Sequence, residues 1–208
     1  MFDFSRGDWV VPRDLAPLFR ATFEDIASAG NAWTGTDRIA IADVARHRSQ
    51  ASGSDVLPKA AIDAAMLIAT QPSGSTESFV HEAIAALGEI EYVELVGVTA
   101  AITAIDTVTA LLGLGHETLP EPRPGEPTPP PHDRRCKRRS AWVAMNGPAN
   151  PRHALTAAPR AQATVNRLFD GLFAPLNASD RSKAQDRLTR EQRELVALTV
   201  SHSNECFW

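Results

Sequence analysis

Two thiols and one carboxylate are the side chains of this 208-residue chain best suited to chemistry. A thiolate is a strong nucleophile that oxidises readily, whereas the neutral thiol is neither. Cys136 lies inside Arg134-Arg135-Cys136-Lys137-Arg138-Arg139, where positive charge lowers a thiol pKa or holds an anionic partner. The preferred reading of that run is plainer, a solvated basic arm in a connector. Cys206 follows Glu194 by twelve residues. An unbroken helix would hold the two about 18 Å apart along its axis. Shared chemistry therefore requires the helix to end between them, with Ser203-Asn204 as the place for the break and Ser201 and His202 brought near the site. Without further context, Glu194 reads as an exposed helix charge paired with Lys183, Arg190 or Arg193, and Cys206 as a frayed terminal thiol.

Other chemistries are poorly provided for. The histidines at 47, 81, 116, 132, 153 and 202 and the two cysteines show no close ligand spacing, so no metal is expected. No glycine fingerprint follows a strand, and no dinucleotide or other cofactor is expected. A net charge of −4 does not suit a protein that wraps nucleic acid. Two cysteines cannot build a disulfide framework, which points to a reducing compartment. The start, Met1-Phe2-Asp3-Phe4, lacks the basic and apolar regions of a signal peptide, and a cytoplasmic location is expected.

The elements that must position these groups read as helices. Leu15, Leu18, Phe19, Phe23 and Ile26 repeat with helical spacing, as do Val165, Leu168, Phe169, Leu172, Phe173 and Leu176. Thr36 with Asp37 precedes a helix running to Arg48, Pro58 suits the first turn before Lys59, and Ser75 or Thr76 caps a helix that stops at Gly88. Residues 89–112 are apolar on nearly every face and must be surrounded by other helices or by a partner subunit. Their length approaches a membrane span, but Glu94, Asp106 and four threonines favour a buried helix of a soluble bundle, with no membrane contact. Thr99, Thr103, Asp106 and Thr107 form a polar stripe on it. The threonines can bond back to their own helix, while Asp106 needs a basic partner or a wet cavity, and pairing is the preferred outcome. No sustained period-two alternation occurs, so the fold class is all-α.

The charge divides by segment. Residues 1–112 carry 7 basic and 15 acidic side chains, residues 113–140 carry 6 and 4, and residues 141–208 carry 8 and 6. Seven of the fifteen prolines fall within residues 118–131, a composition that excludes helix and marks a linker. The expected organisation is a helical domain over 1–115, a Pro-rich then basic linker over 116–140, and a partial second unit over 141–208. An internal match at an offset of 155 sets residues 34–47 over 189–202, with identities at Thr34 and Thr189, Arg38 and Arg193, Ala42 and Ala197, and His47 and His202. In that alignment Ile39 stands opposite Glu194, and Ala51 opposite Cys206.

Residues 188–208, ending Ser203-Asn204-Glu205-Cys206-Phe207-Trp208, resemble the active-site entrance of the carboxymuconolactone decarboxylase-like and alkylhydroperoxidase AhpD-like superfamily. There a glutamate-bearing helix runs into a Cys-x-x-Cys pair followed by a histidine, and the glutamate-to-cysteine separation of twelve is met by Glu194 and Cys206. Residues 92–113 look like the long packing helix of the same superfamily, and Leu119-Pro120-Glu121-Pro122 is similar to the tail that follows it. The resemblance implies an AhpD-like helical bundle in tandem, with the first unit degenerate and the second cut short. It also implies thiol-dependent reduction of hydroperoxides, with Glu194 as proton relay and Cys206 as resolving thiol. The chain ends at Trp208, just before the attacking cysteine and the histidine of the pattern, so the expectation is an impaired oxidoreductase. A thiol reductant protein is the implied partner, and a homo-oligomer through the first helical domain is expected. The alternatives are a non-catalytic helical association module using the apolar long helix and, third, a lactone decarboxylase, for which no acid–base residues stand out.

Overall fold

A computed structural model of the chain describes residues 2–4, 11–48, 55–131, 135–138, 141–148, 150–172 and 189–203. Seven α-helices follow one another in these residues: α1 (Leu15–Ala27), α2 (Gly35–His47), α3 (Lys59–Thr70), α4 (Glu77–Leu87), α5 (Glu89–Leu111), α6 (Pro159–Leu172) and α7 (Arg190–Ser203). The only β pairing among the described residues is an isolated bridge between Lys137 and Met145. The protein is all-α.

Local chemistry sets the boundaries. α2 begins earlier than Thr36 and Asp37 suggest, because Thr34 is the cap: its hydroxyl accepts from Asp37 N at 3.2 Å and the Asp37 carboxylate accepts from Thr34 N at 3.0 Å. This reciprocal box satisfies two of the donors every helix start leaves open. Pro58 caps α3, and the Thr76 hydroxyl accepts from Phe79 N to start α4. Gly88 ends α4 and starts α5 at φ +106°, a conformation strained for any residue with a Cβ.

α5, 23 residues and about 35 Å long, is the axis of the bundle. α2, α3 and α6 pack along it, with α4 and α1 completing the surround. Leu95, Ile102 and Ile105 on α5 are fully buried, as are Phe19, Phe23 and Ile26 on α1 and Ile41 and Val44 on α2. Burying one such side chain contributes about 1.5–3 kcal/mol. α5 has the length and composition to cross a membrane, and 56% of its most apolar stretch is buried inside the bundle. Much of its apolar surface is covered by its own chain, with Leu111 near its end exposed.

The core crosses the linker. Leu155, Ala158, Ala161 and Leu168 belong to the same buried cluster as α1–α5, so α6, assigned from sequence to a second unit, packs on α5 and α1. The close approach depends on Gly97, where an added Cβ would sit 2.8 Å from the Ala161 Cβ. Residues 114–131 contain no helix, as their prolines require, yet they are fastened to the bundle. Arg123 N donates to Ala27 O at 2.7 Å, Thr128 N to Gly30 O at 3.0 Å, and Arg46 Nη1 to Glu117 O at 2.7 Å.

Candidate functional site

Glu194 is exposed on α7. That helix starts with its own reciprocal box: Thr189 N donates to Gln192 Oε1 at 2.8 Å, and Gln192 N donates to Thr189 Oγ1 at 3.3 Å. Thr189 and Gln192 stand opposite Thr34 and Asp37 in the 155-residue offset, so the two matched segments start their helices at equivalent residues by the same device. α7 is helical through Ser203, the last described residue, so the break expected at Ser203-Asn204 lies at the edge of the described residues. Cys206 lies outside the described residues. Glu194 precedes Ser203 by nine residues, about 14 Å of helix, and three residues span at most about 11 Å. Chemistry shared by Glu194 and Cys206 therefore needs a reversal directly after Ser203 and a bridging water or side chain between them.

The matched helices differ in surroundings. On α2, Ile41, Ala42, Val44 and Ala45 are buried, while Ile39 is half-buried against the core. Their counterparts on α7 are Val196, Ala197, Thr199, Val200 and, for Ile39, Glu194. Val196 is 55% exposed and Val200 53%, against 0% for Ile41 and 3% for Ala45. Among the described residues α7 makes no extensive packing contact with another helix. It has the sequence of a packed helix without the packing.

Two carboxylates of α5 are held by arginines from α2. Asp106, expected to need a basic partner, takes a two-pronged bond from Arg46, with Nε–Oδ2 and Nη2–Oδ1 each at 2.8 Å. Glu94, which the sequence shows merely as a charge in an apolar run, is the more buried at 0% exposure. Its Oε2 accepts from Asn31 N at 2.9 Å and Ala32 N at 2.7 Å, and its Oε1 lies 3.2 Å from Arg38 Nε. Neither Arg38 Nε nor Glu94 Oε1 finds a hydrogen-bond partner, so this is an off-axis ion pair. Arg38 Nη1 in turn donates to Asp25 O and Ser28 O, stopping the carbonyls at the end of α1. Burial raises the Glu94 pKa above that of an ordinary glutamate, opposed by Arg38 and by amides of the 31–33 loop. Burial likewise lowers the Arg38 pKa, opposed by Glu94 and Asp25. Gly30 is required here, since a Cβ would fall 1.5 Å from Glu94 Oε1. The group ties α1, α2 and α5 together, and the Asn31 side chain extends it to the linker through Thr128 O and to α6 through Arg160 N. Its partners are the chain's own backbone and side chains, which makes it structural.

Of the threonine stripe, Thr99 departs from expectation: its hydroxyl is buried without a partner. Thr109, outside that stripe, bonds back to its own helix at Asp106 O, 3.0 Å away.

Cys136 is a half-buried free thiol. Beside it, Arg138 pairs with Glu89 at 3.1 Å on the surface, while Arg134 and Arg139 lie outside the described residues. Among the described residues no three His, Cys, Asp or Glu side chains gather as a metal site. Comparison with known proteins adds no identity to this geometry: no protein-family model, curated protein or solved structure matches the chain.

Proposed function

We propose that the chain is the scaffold of an AhpD-like, thiol-dependent hydroperoxide reductase, with Glu194 and Cys206 as the part of the site that residues 1–208 supply. The observation that carries this reading is the paired capping box. Thr34–Asp37 and Thr189–Gln192 begin equivalent helices, which supports two copies of one unit, and in the copy that packs, the position of Glu194 is taken by the half-buried Ile39. In a reductase of this kind a thiolate takes the terminal oxygen of the hydroperoxide, becoming a sulfenic acid and releasing an alkoxide that needs a proton. A second thiol then condenses with the sulfenic acid, giving a disulfide and water. Glu194 is the proton donor in this scheme and Cys206 the resolving thiol.

The test is consumption of cumene hydroperoxide with dithiothreitol, by this chain and by a version extended to complete the Cys-x-x-Cys and histidine pattern. The extended chain is expected to turn over at least about tenfold faster, the acid–base contribution alone being of that order or larger, and to lose activity in Cys206→Ser. Equal rates for the two, or no activity in the extended chain, would count against the reading.

A second reading, an association module, is favoured by the exposure of Leu195 and Leu198 (63% and 66%) on α7. In this version association runs through α7, whose leucines are more exposed than most apolar residues of α5, the helix first expected to serve it. Light scattering of the full chain and of Leu195→Glu/Leu198→Glu tests it: unchanged mass on substitution removes its support.

A further inference from the structure

An unfilled space lies away from α7. Between α3–α5 on one side and residues 141–155 on the other is a cavity of about 520 Å³, inside the range of roughly 300–1,000 Å³ that small-molecule sites occupy. Val80, Val93, Val96, Trp142, Met145 and Leu155 are among its walls, and among the described residues no charged side chain lines it. Trp142 is 43% exposed, an aromatic surface that water covers poorly and that a ligand could cover instead.

The second observation concerns Tyr92, on α5, which also lines the cavity. It is only 5% exposed. No hydrogen bond of its hydroxyl falls among the described residues, and that oxygen is not one of the fully enclosed polar atoms, so it keeps contact with water-accessible space and can donate to a molecule there. Burial raises its pKa, so the phenol remains a neutral donor at physiological pH.

From the apolar walls, the volume and the accessible phenol together, we infer that this cavity is a binding site for a neutral, mainly apolar small molecule whose one polar oxygen accepts a hydrogen bond from Tyr92. The walls select against charge, because an ion placed there loses its hydration and meets no counter-ion. They select for hydrocarbon, because an alkyl chain or ring removes both its own surface and that of Val96, Met145 and Leu155 from water. The phenol then distinguishes an alcohol, ketone or ester from a plain alkane. The inference does not rest on the proposed thiol chemistry: the cavity's described lining includes no residue of α7.

The full chain is titrated with the neutral fluorophore N-phenyl-1-naphthylamine and competed with 1-decanol, decanoate and decylammonium, which share a tail and differ in charge. The expected result is saturable binding of one probe per chain, with energy transfer from tryptophan that Trp142→Phe reduces. Decanol should displace the probe at concentrations at least about tenfold below those of its charged analogues. Tyr92→Phe should weaken decanol by about two- to tenfold, the worth of one hydrogen bond. Ala154→Phe should fill the cavity and abolish binding. Ser75→Phe, at a half-buried turn position on the wall, provides the same blockade should Ala154→Phe lose its helical circular dichroism. Three results would overturn the inference: no saturable binding, as when another part of the chain occupies the space; binding unchanged by the folded filling variant; or decanoate competing as well as decanol.

Discussion

Removing the Arg38 guanidinium should be among the most damaging single changes in this protein, and removing the Glu94 charge as well should reverse part of the damage. Arg38 is 3% exposed and Glu94 0%, with Nε and Oε1 3.2 Å apart. Arg38→Met keeps much of the stem's packing but leaves a buried carboxylate without its counter-ion and the Ser28 carbonyl without its guanidinium donor, while the Asp25 carbonyl keeps only Ser28 N. A buried pair broken on one side costs about 3–5 kcal/mol. Glu94→Gln retains an oxygen for the amides of Asn31 and Ala32 and should cost about 1–3 kcal/mol. In the double variant no unpaired carboxylate remains, so it should be more stable than Arg38→Met alone, by about 1–2 kcal/mol. The assay is urea denaturation followed by far-ultraviolet circular dichroism at neutral pH, comparing midpoints at constant slope. A double variant less stable than Arg38→Met, or costs additive within about 0.5 kcal/mol, would refute the reasoning.

Three further outcomes follow from the same geometry. Because burial holds the Glu94 pKa above its ordinary 4.5, the folded chain keeps a proton that the unfolded chain has released just above that pH. The stabilisation linked to this group is full below 4.5 and is lost as pH rises through the folded value. The unfolding free energy of wild type minus that of Glu94→Gln should therefore fall with rising pH in that window and then level, and a rising difference contradicts the direction. Arg46→Met should destabilise by about 2–4 kcal/mol in thermal or urea unfolding, because Asp106 loses a two-pronged partner at 12% side-chain exposure; a change under about 0.5 kcal/mol would assign the pair no role. Thr34→Ala should lower global stability by about 1 kcal/mol. Thr189→Ala should reduce α7 helicity with little effect on the main unfolding transition, measured by site-resolved amide exchange, and equal global costs would contradict the unpacked state of α7.

What the sequence revealed and what it hid differ in kind. The helices were legible because their signals are local: Gly88, Thr76 and Pro58 punctuate, and the all-round apolar residues of α5 demand a central position. Asp106 was legible as a group in need of a partner, although the partner, Arg46, sits 60 residues away and carries no local mark. Glu94 was underestimated for the same reason. Its most important bonds run to the backbone of residues 31 and 32, and any residue type there could supply an amide. The Pro-rich stretch reads as a spacer by composition, whereas isolated backbone, amide and arginine bonds hold it on the bundle. α6 was placed beyond that spacer because charge and proline content change there, while the small Gly97 and Ala161 that let it pack on α5 look unremarkable in isolation. Asp37 and Gln192, opposite each other in the 155-residue offset, differ in type but perform the same capping bond, an equivalence that residue identity alone does not display.

The most direct measurement of the central claim is the pH-dependent rate of hydroperoxide reduction by the extended chain, with Glu194→Gln beside it in a Cys136→Ser background. If Glu194 relays the proton to a site that includes Cys206, the glutamine variant turns over at least about tenfold more slowly and loses one limb of the pH profile. An unchanged rate and profile would contradict the account.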